Sequence, residues 1–176
     1  PQPPPRQPPP LPPPRAPGEA LVSSLSEVRA AIAGAGGAPL SLFLPPGHYP
    51  LGGSPLAVSG ANVTITSAGS GAVLDAEGQS RIFYVDNSAA LVLHLVHLRN
   101  GAAVTSGQAY GGAMDVSGGS RVEVSHGTIA NCSATSSGGS AAGGAMALWS
   151  GSSAALVSTS ISGCAATGTA GHAYGG

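Results

Sequence analysis

The chain has 176 residues, of which only 7% are charged, and a formal net charge of −1; all six cations are Arg. An ordinary soluble domain carries about 25% charged residues. So sparse a field excludes a basic surface for nucleic acid and a charge-laced coiled coil. A membrane-spanning helix is excluded too, because the central apolar run Ala89–Leu93 stops at His94, far short of the ~20 residues needed.

Eleven of the 16 prolines lie in residues 1–17. This shift in composition divides the chain into a proline-rich tether, 1–17, and a domain, 18–176. Proline fixes φ near −65° and has no amide proton, so the tether is expected to be disordered in the globular sense and extended as polyproline II. At ~3.1 Å per residue it reaches roughly 50 Å. The windows Pro1–Arg6 and Pro10–Arg15 fit the P-x-x-P-x-Arg pattern that SH3-like grooves read. A stiff spacer accounts for the same residues more simply.

The domain opens with a helix signal. Ser24-Leu25-Ser26-Glu27 fits a capping box, and Leu25, Val28 and Ile32 share one face. Gly34, Gly36 and Gly37 end it. Leu40–Leu44 reads as a strand, Pro45-Pro46-Gly47 as a turn, and Tyr49–Leu51 as resumed extended chain. Short strands follow at Leu56–Val58, Val63–Thr66, Val73–Asp75, Ile82–Val85 and Leu91–Leu95. In the last of these, alternation turns Leu91, Leu93 and Leu95 inward and His94 outward.

A repeat then sets the architecture. Gly111-Gly112-Ala113-Met114 returns as Gly143-Gly144-Ala145-Met146, 32 positions on. Ile129 and Ile161, and Cys132 and Cys164, keep the same spacing. Gly175-Gly176 continues it, which predicts that a further copy starts there and that the domain is C-terminally incomplete. One step upstream, Leu98–Gly101 sits 31 positions before Ile129–Cys132. Three short strands per copy, stacked copy on copy, form a parallel β-helix. Equivalent side chains then meet in ladders ~4.8 Å apart. The expected ladders are Met114 and Val116 on Met146 and Leu148, Val122 and Val124 on Ala154 and Leu156, and Ile129 on Ile161. Asp115, Arg121 and Glu123 become Ala147, Ser153 and Ala155, so the positions expected to face outward drift.

The segment Leu21–Leu51, with Leu-Pro-Pro-Gly-His-Tyr, resembles the entry segment of the pectin-lyase-like right-handed β-helix superfamily, as do Val73–Gly78 and Leu91–Gly101. The Gly-Gly-Ala-Met repeats with Ile-x-Asn-Cys resemble those of polymorphic outer-membrane proteins. The first resemblance implies a right-handed helix whose N-terminal amphipathic helix closes one end of the core.

Candidate chemistry is thin. Asp75 and Glu77 would share a strand face if extended, and Arg81 or Arg99 could supply a base. Under the resemblance, Asp75, Glu77 and Arg99 form the least implausible lyase site, with Ca²⁺ as its cofactor; otherwise no cofactor or metal is implied. His94 and His97 point in different directions, and His126 reads as a turn residue. Cys132 and Cys164 fall on adjacent rungs and form either a disulfide or a stack of free thiols. Asn62-Val63-Thr64 and Asn131-Cys132-Ser133 are N-glycosylation triplets. Asn62 is the better acceptor, because Asn131 is expected to face inward.

The sequence therefore points to a non-catalytic extracellular or cell-surface module, stalk- or adhesin-like. It would present Ser/Thr/Gly-rich loops such as Thr135–Ala142 to a glycan or a protein surface. The alternative is a polysaccharide-active enzyme.

Overall fold

In the computed structural model, residues 18–175 are described. The tether and the Pro10–Arg15 motif lie outside them. Apart from one helix the domain is all β, a right-handed parallel β-helix of about 4 turns. Every pairing is parallel. The largest sheet stacks Ala20–Leu21, Leu40–Phe43, Asn62–Thr66, Ala90–His94, Arg121–Ser125 and Ser153–Val157. A second stacks Gly47–Pro50, Ala72–Asp75, Val96–Arg99, Thr128–Ala130 and Ser160–Ser162. A third stacks Leu56–Ser59, Phe83–Asp86, Met114–Val116 and Met146–Leu148.

The later coils are longer than the expected three-strand unit. Two further small sheets appear from residue 102 onward. One holds Ala102–Thr105, Ser133–Ser136 and Ala165–Gly168; the other holds Ala109–Tyr110, Ala141–Ala142 and Ala173–Tyr174. Between them lies a separate core of alanines, Ala103, Ala109, Ala134 and Ala141. Only methyl groups fit there, because the two sheets fold back closely on each other. Thr135–Ala142 is accordingly not a free loop. Its ends are strand, Ser136 and Ala141 are fully buried, and only residues 137–140 form a turn.

The main core is a column of aliphatic ladders. Leu91 and Leu93 lie in register with Val63 and Ile65 on one side and with Val122 and Val124 on the other. Met114 pairs with Met146, and Ile129 with Ile161 and Leu98, as the repeat predicts; Met114 also pairs with Phe83 on the preceding coil. Leu95 does not follow. It takes φ 55° and is only half-buried, and Val96 re-enters the core one position later. A single left-handed residue reverses the side-chain phase, so this corner converts one sheet into the next. His126 and Ser158 take the same conformation on the following coils.

The helix Leu25–Gly34 closes the N-terminal end. Its buried face is Leu25, Val28 and Ile32, which join the main core. The Ser24 hydroxyl accepts from the Glu27 amide. Glu27 reaches one residue further than the capping-box pattern and accepts from the Ser23 amide at 2.6 Å. Arg29 crosses from the helix to the backbone carbonyls of Leu51, Ser54 and Pro55, tying the cap to the first coil.

At the other end stands the last described coil. Leu156, Val157, Ile161 and Tyr174 are exposed on the last coil. No Asp, Glu, Lys or Arg follows Glu123 to discourage edge pairing. In a sample of residues 1–176 alone, with the helix blocking one end, like ends should meet, giving dimers rather than filaments. Light scattering of the 176-residue chain is expected to show mass above the monomer as concentration rises, and Ile161→Lys is expected to return it to monomer. A parent chain that stays monomeric at high concentration would contradict this.

Candidate functional site

Asp75 closes the strand Ala72–Asp75, in register with Pro50 on one coil and Arg99 on the next. Its side chain is buried and surrounded by donors. His48 Nε2 lies 2.9 Å away, Asn100 Nδ2 donates at 2.8 Å, the Glu77 amide donates at 2.9 Å, and Arg99 Nε stands at 3.3 Å. Three hydrogen-bond partners fill most of the carboxylate's about four acceptor positions, and Arg99 adds its charge. Burial works to raise the Asp75 pKa, but the hydrogen bonds from His48, Asn100 and Glu77 and the charge of Arg99 outweigh it and hold the carboxyl below its ordinary value.

The predicted carboxylate pair does not form on one strand face. The strand ends at Asp75, and Glu77 sits at an exposed left-handed corner with φ 54°. Only its amide touches Asp75. Arg99 does reach Asp75, but as a charge that steadies it. A cleft of about 510 Å³ lies beside this cluster, lined by Asp75, Glu77, Asn100, Asn131 and Ser133. Among the described residues, no three His, Cys, Asp or Glu side chains come together to hold a metal ion.

The remaining predicted residues are placed as follows. Cys132 is buried and Cys164 half-buried, and both are free thiols. The Gly101 amide donates to Cys132 Sγ, which lies 3.3 Å from the Ala130 carbonyl. Burial, with a smaller contribution from Cys164, pushes the Cys132 thiol up to about 12, so it is no thiolate nucleophile at neutral pH. Asn62 is exposed at the start of its strand. Asn131 is exposed as well, contrary to the inward placement expected, because it occupies a left-handed corner with φ 54°. His94 Nδ1 lies 3.0 Å from Ser125 Oγ, and its ring meets that of His126 edge-on at 5.1 Å. His97 is held between Thr128 Oγ1 and the Ser70 carbonyl.

One cluster escapes sequence reasoning. Asp115, counted among the outward positions, is buried. Arg81 Nη1 donates to its Oδ2 at 2.5 Å, and the Trp149 indole lies beside the carboxyl. Trp149 packs edge-on against Tyr110 with centroids 4.3 Å apart, and the Arg81 guanidinium lies 6.0 Å from the Tyr84 ring centre. Tyr110, Trp149, Asp115, Arg81 and Tyr84 thus form one continuous surface. Register supplies part of it, since Tyr84, Asp115 and Ala147 share a column. The available signal was compositional: the one Trp and two of the four Tyr fall within this surface.

No family model, curated protein or solved structure matches the chain.

Proposed function

We propose that the chain is a non-catalytic β-helix module of an extracellular or cell-surface protein, stalk- or adhesin-like, that offers its surface to a glycan or protein partner. The observation that carries this is the structural engagement of Asp75, held by three hydrogen-bond partners and the Arg99 charge. A general acid or base needs a free lone pair or proton and a pKa near the working pH. Asp75 has three hydrogen-bond partners, the Arg99 charge beside it and a lowered pKa. The sequence resemblance to pectin-lyase-like β-helices and to polymorphic outer-membrane repeats supports a surface location and a long solenoid, and the exposed turn at residues 137–140 is the place where such a module would meet a partner.

The rival reading is a polysaccharide-active enzyme working in the cleft beside Asp75, with Ca²⁺ if it is a lyase. A panel of neutral glycans and polyuronates, assayed for both binding and turnover with and without Ca²⁺, separates the two. Binding without product is the expected result. Unsaturated or hydrolysed product that vanishes in Asp75→Asn would establish the enzyme instead.

A further inference from the structure

Two of the five histidines meet at one corner of the solenoid. His94 ends the strand Ala90–His94, and His126 follows the strand Arg121–Ser125 on the next coil. Register sets Ser125 beside His94. The chain then turns at His126, with φ 55°, and its ring lies against that of His94. The same corner holds Leu95 on the preceding coil and Ser158 on the following one, so the pair belongs to this step alone.

The hydrogen bonds settle where the protons sit. Ser125 has one hydroxyl proton, and it donates to the Leu93 carbonyl at 3.3 Å, an oxygen that can only accept. Its Oγ therefore accepts from His94 Nδ1–H at 3.0 Å. The neutral His94 ring then keeps its lone pair on Nε2. Metal-bound histidines are held in this way, one nitrogen donating to a neighbour and the other on the ion. His97 is the opposite case. Its Nε2 donates to the Ser70 carbonyl, so its Nδ1 accepts from Thr128 Oγ1, and both nitrogens are engaged. His126 is exposed, and among the described residues neither of its ring nitrogens has a hydrogen-bond partner.

We propose that His94 and His126 hold a divalent transition-metal ion of the Zn²⁺ or Cu²⁺ class, through one nitrogen each. Imidazole is a donor that suits both ions. A tetrahedral ion ~2.1 Å from each of two ring nitrogens sets the ring centres about 5 Å apart. The centres of His94 and His126 are 5.1 Å apart, with the rings inclined at 65°. Rotation of the exposed His126 side chain is enough to turn a nitrogen toward His94 Nε2. Water fills the other positions: among the described residues no third His, Cys, Asp or Glu joins the pair, and His126 lines a cleft of about 610 Å³ with Thr128, Ser158 and Thr159. Two protein ligands make an exchangeable site, unlike the closed four-ligand structural centres. Ca²⁺, which takes six to eight oxygens, is not served by it. The site is independent of the surface-module reading, which stands or falls on other measurements.

Zn²⁺ alone is titrated into the 176-residue chain, with calorimetry for affinity and NMR for the histidine ring signals. The ring signals of His94 and His126 are expected to move together, and those of His48, His97 and His172 to stay. Ca²⁺ should move none of them. His126→Asn keeps a residue that tolerates the left-handed corner. His94→Thr repeats Thr66, its neighbour in the same column. Ser125→Ala, which removes only the supporting hydrogen bond, should weaken Zn²⁺ binding about 10-fold, and each histidine variant should weaken it further. His97→Ala should bind as the parent does. Circular dichroism checks that each variant keeps the solenoid, and the exposed His126 makes its variant the safest of them. Zn²⁺ affinity unchanged in His126→Asn would overturn the proposal. So would a parent chain whose His94 and His126 signals do not respond to Zn²⁺, or a loss in His97→Ala equal to that in His126→Asn.

Discussion

Gly112→Ala is expected to destabilise the domain by about 4 kcal/mol, a large part of the 5–15 kcal/mol that holds an ordinary domain folded. A Cβ at Gly112 would stand 2.1 Å from the Gly144 carbonyl oxygen and 2.5 Å from the Ser133 nitrogen. These are backbone atoms of neighbouring chain segments, so no side chain can rotate away. Gly144 repeats the problem on the next coil, 2.4 Å from the Ala165 nitrogen. The first glycine of each pair has a different reason. Gly111 and Gly143 hold φ of 58° and 65°, and a Cβ on either would collide with the carbonyl of the methionine three residues on. The Gly-Gly-Ala-Met repeat is therefore a steric requirement of coil stacking. Gly151 provides the control. Its φ is 75° but nothing lies within 4 Å of an added Cβ, so Gly151→Ala should cost only the left-handed strain of about 1–2 kcal/mol. For a domain of this size about 4 kcal/mol lowers the Tm by roughly 10 °C. Thermal melts placing Gly112→Ala within a degree or two of Gly151→Ala would show that the coils relax apart and that this account is wrong.

The same repeat explains why the later coils could be read from the sequence and the earlier ones less well. Along the largest sheet, Leu40 pairs with Val63, Val63 with Leu91, Leu91 with Val122, and Val122 with Ala154. The coil grows at each step and reaches a constant length only at the end. A fixed period is visible where the two small sheets are fully present, and invisible where they are missing. Helix and core strands were legible anyway, because burial imposes alternation and amphipathic spacing on each element separately. Corners were not. Leu95 and Glu77 break the alternation with a single left-handed residue, and nothing in their side chains announces it. The Arg81–Asp115–Trp149–Tyr110 surface was illegible for a further reason. Its members lie 34 positions apart in one contact and 39 in another, and they meet only through the stacking of successive coils.

Asp75 should dominate the acid limb of stability. Replacing it by Asn places an amide N–H among His48, Asn100, the Glu77 amide and the Arg99 charge, and the loss of charged hydrogen bonds is expected to cost about 2 kcal/mol at neutral pH. The pH dependence follows from two opposed carboxyls. In Asp75, burial works to raise the pKa, yet the donors and Arg99 bring it below the ordinary 3.8. The unfolded chain then binds that proton more readily than the folded one. The stability Asp75 contributes is fully present above the unfolded value and is lost as pH falls through the folded value. In Asp115 burial prevails over Arg81 and Trp149, and the pKa is raised. Here the folded chain binds the proton more readily, so protonation on acidification offsets part of the loss from Asp75. Melts of the parent, Asp75→Asn and Asp115→Asn between about pH 7 and pH 2 separate these contributions. Asp75→Asn should start lower and fall less steeply toward acid, whereas Asp115→Asn should fall more steeply than the parent. If Asp75→Asn keeps the parent's slope and its stability at pH 7, the carboxylate is not held as its hydrogen-bond partners and Arg99 require. Its role as a filled structural acid, on which the non-catalytic reading rests, would then fail with it.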